Sequence, residues 1–218
     1  MSSKMKKIIL NALFPPDVAC LSCRREAVVD EDGLCSDCRS GLEPFTAAPL
    51  PKNIDGYTAA YIYNDVSSRM VIRLKYSNAR YMAKYLADAI TLPKEWGKID
   101  AVVPVPLYYK REWKRGYNQS ELIAKYLCSR YELKLDTSLL IRIKNTKSQT
   151  RLSDSVRRIN LSRAFAADEA CKGTTILLID DVMTTGSTLE ECAAELRRHG
   201  TERVYAATVC FAHPDSRW

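Results

Sequence analysis

The stretch ILLIDDVMTTGST, residues 176–188, decides the fold of this 218-residue chain. Its four apolar residues predict a buried strand, two acids follow at the end of that strand, and a helix starts at about Thr188. A helix N-terminus after a parallel strand presents backbone N–H groups and therefore binds anions. Gly186 allows the backbone to approach an anion closely. Further hydroxyl donors are Thr184, Thr185, Ser187 and Thr188. The segment therefore predicts a phosphate site at the carboxyl end of a strand in an α/β sheet.

Two acids beside a phosphate site need a separate explanation, because carboxylates repel phosphate. Asp180 and Asp181 instead suit the hydroxyls of a sugar attached to that phosphate. A ribose 5-phosphate satisfies both halves, with its phosphate in the turn and its 2′- and 3′-hydroxyls on the acids. Helix capping alone explains the hydroxyl-rich turn less well, since it does not require the acid pair.

Residues 176–188, which we call the signature segment, resemble the signature of type I phosphoribosyltransferases. Those enzymes bind phosphoribosyl pyrophosphate (PRPP) together with Mg²⁺. The resemblance implies a mainly parallel α/β sheet with helices on both faces, in which residues 184–188 hold the 5′-phosphate. Purine-salvage members often carry an acid where this chain has Thr184, so the resemblance is closer to the orotate type.

The cysteines fall into two groups. Cys20, Cys23, Cys35 and Cys38 form two C-x-x-C pairs, whereas Cys128, Cys171, Cys192 and Cys210 are scattered. The paired set has the spacing of a closed tetrahedral zinc site, which would be structural because no coordination position stays open. The alternatives are free thiols or a redox pair. The scattered set is expected to be buried and inert.

The order of elements predicts two domains. Residues 1–47 have too few apolar residues for an independent core and are expected to form a zinc-ribbon-like module. The Pro/Ala-rich stretch Pro44–Pro51 resembles a linker, and residues 48–218 alternate strands and helices. Strands are predicted over Tyr57–Tyr63, Ala101–Val105, Leu139–Ile143, Thr175–Ile179 and Val204–Cys210. Helices are predicted over Ser67–Lys75, Arg80–Ile90, Glu121–Tyr131 and Thr188–His199.

A four-cysteine module before a PRPP-binding domain resembles the ComF family of competence-related phosphoribosyltransferase-like proteins. Further stretches carry that resemblance, namely Leu74-Lys75-Tyr76, residues 103–107, Arg111, residues 115–119, Gln149, Arg157, Asn160 and Ala164-Phe165. The family is associated with DNA uptake in natural transformation, which implies single-stranded DNA and proteins of the competence machinery as partners.

Two basic segments accompany the signature. Arg111 and Arg115 are four residues apart and could hold a pyrophosphate from one helix face. With Trp113 and Tyr117 they could instead stack on nucleic-acid bases, or they could form a solvated helix start. The stretch Arg142–Arg163 suits a loop that closes over pyrophosphate, a nucleic-acid contact or an ordinary solvated loop.

The net charge is +7, from 33 basic and 26 acidic residues, and this favours a polyanionic partner without choosing one. No apolar run approaches the roughly 20 residues that span a bilayer. Ile8–Phe14 follows three lysines, but it stops at a Pro-Pro pair and is expected to form a short amphipathic helix with Ile9, Leu10 and Leu13 turned inward. We therefore expect a cytoplasmic protein.

Three functions remain open at this stage. The first is a phosphoribosyltransferase in which Asp180, Asp181, Arg111 and Arg115 form the catalytic site and the acceptor is unspecified. The second is a protein that handles single-stranded DNA and retains a PRPP site without turnover. The third is a PRPP-sensing regulator, which ranks last because no helix-turn-helix is evident.

Overall fold

Four parallel strands form the central sheet of the computed structural model, which describes residues 19–144 and 164–213. Their order is β1 (Gly56–Ile62), β6 (Arg203–Phe211), β5 (Thr175–Met183) and β2 (Ala101–Pro104). The apolar run Ile176–Ile179 lies in one of the two inner strands, and all four of its side chains are fully buried. Because successive strand residues point to opposite faces, Leu177 and Ile179 enter one core while Ile176 and Leu178 enter the other.

The remaining elements pack around this sheet. In chain order the helices are α1 (Ser36–Ser40), α2 (Asp65–Tyr76), α3 (Met82–Asp88), α4 (Tyr109–Arg115), α5 (Gln119–Tyr131) and α6 (Ser187–Arg198). Strands β3 (Leu140–Arg142) and β4 (Phe165–Ala167) form a separate antiparallel pair. Helices α2, α3 and α5 cover one face of the sheet together with the cysteine module, by which we mean the segment that contains Cys20, Cys23, Cys35 and Cys38. Helix α6 and the β3–β4 pair cover the other face.

Each predicted strand and helix of residues 48–218 is present. The prediction was wrong about the end of β5, which continues to Met183 because Asp180, Val182 and Met183 pair with β6. Sequence patterns also missed α1, α4 and β4. The predicted helix over Ile8–Phe14 and most of the basic stretch up to Arg163 lie outside the described residues.

The Pro/Ala-rich stretch is more than a connector. The Phe45 amide donates to the Ala60 carbonyl at 3.1 Å, and the Ile62 amide donates to the Glu43 carbonyl at 2.8 Å. These bonds run antiparallel along β1 and cover an edge that would otherwise present unpaired backbone groups. The stretch ends beside the signature segment, where Pro51 packs against Gly186.

The cysteine module rests on α2, which begins at a capping box. The Asn64 side chain accepts bonds from the Val66 and Ser67 amides, and the Ser67 hydroxyl accepts a bond from the Asn64 amide. The scattered cysteines are all buried, as expected, and none of the eight cysteines is in a disulfide. Over the part of the chain that the structure describes, the helices are too short or too polar to cross a membrane.

Candidate functional site

The two acids of the signature segment lie where the sheet narrows. Strand β2 pairs with β5 only as far as Ile179, whereas β6 continues beside β5 to Met183. Asp180 and Asp181 therefore lie beyond the end of β2, at the carboxyl edge of the sheet. Ligands bind at this edge in open α/β folds.

Asp180 is held at the N-terminus of α5. Its Oδ1 accepts a hydrogen bond from the Ser120 hydroxyl at 2.9 Å and another from the Asp181 amide at 2.9 Å. Burial, followed by the neighbouring charge of Asp181, raises the pKa of Asp180 to about 7. This carboxyl group therefore changes protonation state close to neutral pH.

Asp181 is buried and faces a lysine from α2. Its Oδ2 lies 2.8 Å from Nζ of Lys75, and the side chains retain 6% and 23% of their exposure respectively. Among the described residues this oxygen has no regular hydrogen bond, so the ion pair is its main compensation. Burial alone would lower the pKa of Lys75, but the charge and hydrogen bond of Asp181 together with the charge of Asp180 outweigh burial and raise it. Lys75 therefore stays protonated and neutralises the buried acid.

Residues 184–188 form the predicted turn into α6. Gly186 adopts φ +79°, which L side chains rarely adopt, and it provides the N-cap of the helix. The Thr185 and Ser187 hydroxyls lie 2.8 Å apart. The first amides of α6 have no carbonyl partner within the helix, so this turn can accept an anion. Thr184 is exposed, whereas Thr188 is half-buried in the first turn.

The structure connects one of the predicted arginines, Arg115, to Asp180. The Arg115 guanidinium donates to the Gln119 side chain, whose amide nitrogen lies 3.4 Å from the Ser120 hydroxyl. That hydroxyl bonds Asp180, so a chain of polar contacts runs from Arg115 to the signature segment.

Three guanidinium groups lie close together at this end of the sheet. Arg111 lies near Arg115, and burial together with that neighbouring charge lowers the pKa of Arg111. Burial and then the Arg111 charge lower the pKa of Arg142, which also senses Asp180. Cations held this close favour an anion of high charge.

The aromatic residues divide by exposure. Tyr117, which one of the open alternatives assigned to base stacking, is buried, donates its hydroxyl to the Leu74 carbonyl and lies under the Arg80 guanidinium. Its ring therefore does not support that alternative. Trp113 is 87% exposed, Tyr76 74% and Tyr109 62%.

The four paired cysteines come together as one cluster. Their sulfurs all lie within 4.8 Å of one another, and the Cys23 and Cys35 sulfurs are 3.8 Å apart. A tetrahedral zinc site with Zn–S bonds of about 2.3 Å has sulfur–sulfur edges of about 3.8 Å, so the donor set fits Zn²⁺.

Two of these thiols differ in their ease of ionisation. Hydrogen bonds from the Arg25 amide and side chain lower the pKa of Cys23 to about 6, which favours the thiolate that binds zinc. Burial raises the pKa of Cys38 to about 12, and a bound Zn²⁺ would displace that proton.

Sequence reasoning missed three contributors to the site. Lys75 was noticed only as part of a family-like stretch, and neither Ser120 nor Arg142 received an individual role. Their partners lie between 38 and 106 positions away along the chain, in Asp180 and Asp181. A strand-end acid pair does signal that a cation or hydroxyl should face it, but spacing alone does not identify which one.

Comparisons with known proteins agree with these features. A family model of the double zinc ribbon domain matches residues 9–50, and a model of the phosphoribosyl transferase domain matches residues 79–217. These matches and the cysteine cluster confirm the predicted fold class and the structural zinc site. The expected boundary between residues 47 and 48 stays a prediction.

Curated relatives extend over most of the chain. Competence protein F of Haemophilus influenzae is 30% identical over 213 residues, covering 85% of this chain and 93% of the relative. DNA utilization protein YhgH of Salmonella typhi is 28% identical over 217 residues, covering 88% and 96%. Competence protein ComFC of Bacillus subtilis is 31% identical over 145 residues, covering 65% and 58%.

Proposed function

Because the chain belongs to the ComF family of phosphoribosyl transferase domain proteins, we propose that it binds PRPP at the signature segment. One observation carries the proposal. The half-buried Asp180 and the buried Asp181 lie shortly before a glycine-containing turn into a helix N-terminus. This order places carboxylate acceptors beside N–H donors. A 5-phosphoribosyl group matches both, because its ribose hydroxyls donate to the carboxylates and its phosphate accepts from the N–H groups.

Each part of PRPP then has a partner. The 5′-phosphate binds the amides and hydroxyls of residues 184–188, and the ribose hydroxyls donate to Asp180 and Asp181. The pyrophosphate binds Arg111 and Arg115, with Arg142 beside them. Bidentate guanidinium–phosphate bonds provide both charge and orientation.

Mg²⁺ would accompany the pyrophosphate. It prefers carboxylate and phosphate oxygens, and the acid pair Asp180 and Asp181 presents carboxylate oxygens at the same edge of the sheet. When bound, the ion supplies charge neutralisation on the pyrophosphate oxygens. The residues present therefore fit the ion.

The reaction class that suits this arrangement is transfer of the phosphoribosyl group. A nucleophile would form a bond to the anomeric carbon while the bond from that carbon to pyrophosphate breaks, and the pyrophosphate leaves with the bonding electron pair. The chain's own contribution is positioning and electrostatic stabilisation of the leaving group. PRPP binding does not require turnover, so binding and pyrophosphate release are separate measurements.

Calorimetric titration with PRPP and Mg²⁺ tests the binding proposal. We expect micromolar affinity for the wild type and at least a tenfold loss in Asp181→Asn, since one strong acceptor is removed. Asp88→Asn is the matched control, because Asp88 pairs with Lys84 on the exposed side of α3. Unchanged affinity in Asp181→Asn would exclude this assignment of the acids. Release of pyrophosphate with a panel of nucleophiles would then decide whether the protein is an enzyme.

A second candidate function is binding of single-stranded DNA, and the exposed aromatics favour it. Trp113, Tyr109 and Tyr76 lie on α4 and at the end of α2, among the cations of α4. The Arg115 guanidinium stacks 5.3 Å from the Tyr76 ring, which connects the two elements. Exposed rings interleaved with cations are typical of sequence-tolerant binding to single strands.

Oligonucleotide binding over a salt series tests this candidate. We expect affinity to fall steeply with salt and Trp113→Ala to weaken binding about fivefold or more, because stacking contributes about 1–3 kcal/mol per base. Tyr126→Ala is the control, since Tyr126 is partly exposed on α5. Equal affinities for the two variants would rule out α4 as the contact surface.

A further inference from the structure

The cysteine module is bonded to both ends of α2, and α2 carries the lysine of the signature site. At the first turn, the Ser22 hydroxyl donates to the Val66 carbonyl at 3.0 Å. At the last turn, the Arg73 guanidinium donates to the Leu21 carbonyl. Leu21 and Ser22 lie between the metal ligands Cys20 and Cys23, so the loop that the metal closes supplies both contacts.

A third contact ties the other half of the module to the same helix. The Asn64 side chain, which caps α2, donates to the Gly41 carbonyl at 2.9 Å. Gly41 also packs closely against Val66, since a Cβ added to this glycine would lie 2.9 Å from the valine side chain. The module therefore fixes both the position and the start of α2.

The far end of α2 reaches the signature segment. Lys75 follows Arg73 by two residues and places its Nζ 2.8 Å from Asp181 Oδ2. Arg73 itself is held between the Leu21 carbonyl and the Tyr81 hydroxyl, the latter at 2.6 Å. The Leu74 carbonyl accepts a separate bond from Tyr117, so the module shares the tethering of this turn with Tyr81 and Tyr117.

We propose that metal in the cysteine module positions Lys75 against Asp181 through α2, so that metal binding and ligand binding at the signature segment are thermodynamically coupled. A core-poor four-cysteine module loses its structure without metal, and the bonds to Leu21, Ser22 and Gly41 are lost with it. The last turn of α2 then loses its bond to Leu21 and keeps its contacts with Tyr117 and Tyr81, so Lys75 samples positions away from Asp181 more often. Coupling is reciprocal, so a ligand that favours the ordered site tightens metal binding by the same free energy. The ligand half of the proposal, the coupling of metal binding to ligand binding, rests on the proposed PRPP site. The Lys75 half, the positioning of Lys75 by metal, does not.

Acylation of individual lysines, measured by mass spectrometry, tests the Lys75 half without any ligand. We expect removal of zinc by a selective chelator under reducing conditions to raise the acylation rate of Lys75 about tenfold or more, because the ion pair opens locally. Lys84, which pairs with Asp88 and lies in another helix, serves as the internal control and should not change. An unchanged Lys75 rate after complete metal removal would overturn the proposal.

If the metal-free protein unfolds as a whole, the acylation rate of Lys84 will rise together with that of Lys75. Two variants that keep the metal then provide the test. In Ser22→Ala and Arg73→Met, with one equivalent of zinc retained, Lys75 should still be acylated several-fold faster. Arg73→Lys, which keeps a donor for the Leu21 carbonyl, should restore the protection. Wild-type rates in both Ser22→Ala and Arg73→Met would contradict the proposal.

The ligand half is measured as the zinc affinity, from the equilibrium partition of zinc between the protein and a competing chelator in the presence and absence of PRPP with Mg²⁺. We expect PRPP to raise the zinc affinity about fivefold or more, the lower end of typical allosteric couplings. An unchanged zinc affinity despite PRPP binding by calorimetry would refute the coupling. Absence of PRPP binding to zinc-loaded protein would refute the proposed function instead, and the lysine result would still stand.

Discussion

Replacing Lys75 by methionine should be the most destabilising single change at the signature site. The variant keeps most of the aliphatic stem but removes the cation 2.8 Å from Asp181 Oδ2. That oxygen has no regular hydrogen bond among the described residues, so the substitution leaves a buried carboxylate without compensation. Breaking a buried ion pair from one side costs about 3–5 kcal/mol. Because Lys75 keeps 23% of its exposure, water can approach, and we expect a loss near 3 kcal/mol.

Urea unfolding at pH 7.5 with zinc present measures this loss, and a double-mutant cycle isolates the pair. Asp181→Asn and the double variant complete the cycle, for which we expect a coupling free energy of about 2 kcal/mol. Lys84→Met is the matched control. Lys84 and Asp88 are 2.6 Å apart but retain 59% and 40% of their exposure, so this pair should contribute less than about 1 kcal/mol.

The comparison between the two lysines decides the outcome. If Lys75→Met costs no more than Lys84→Met, or if the cycle shows no coupling, then Asp181 is not compensated by Lys75. The account of a neutralised, buried acid at this site would be refuted.

Three further predictions concern the site and the module. Gly186→Ala should weaken PRPP binding about tenfold and lower the unfolding free energy by about 1–2 kcal/mol, since φ is +79° and Pro51 lies 3.1 Å from the added carbon; calorimetry and urea unfolding check both effects. PRPP affinity should rise between pH 6 and 8 as Asp180, whose pKa is about 7, ionises, and Asp180→Asn should abolish that rise in calorimetric titrations. Because the pKa of Asp180 is raised, its protonation stabilises the folded protein below about pH 4, and this stabilisation is lost as pH rises through 7. The midpoint of thermal unfolding of Asp180→Asn should therefore rise relative to that of the wild type between about pH 4 and 7. Cys35→Ser should release zinc and lower the midpoint of thermal unfolding, and metal analysis together with calorimetry checks both.

The sequence predicted most of the sheet because its apolar runs are long and separated by clear turns. The run at residues 176–179 predicted a buried strand, and the run Val204–Cys210 predicted the strand that the structure places beside it. The end of β5 was missed because two acids interrupt its apolar pattern, while pairing with the buried end of β6 extends it to Met183. Tertiary pairing thus overrides local pattern at the site itself.

The chemistry was predictable where one segment contains it and unpredictable where the fold assembles it. The acid pair, Gly186 and the paired cysteines could be identified from local spacing. Lys75 could not be assigned to Asp181, because 106 positions separate them and the pairing depends on how α2 crosses the sheet. Tyr117 could not be recognised as buried from the sequence. It shares one basic stretch with Trp113, which is almost fully exposed, and the local pattern does not distinguish the two rings.

A crystal structure of the zinc-loaded protein with PRPP and Mg²⁺ tests the central claim most directly. The account predicts the 5′-phosphate at the amides of residues 184–188, the ribose hydroxyls on Asp180 and Asp181, and the pyrophosphate beside Arg111 and Arg115. A PRPP molecule bound elsewhere, or one whose pyrophosphate occupies the turn before α6, would contradict it.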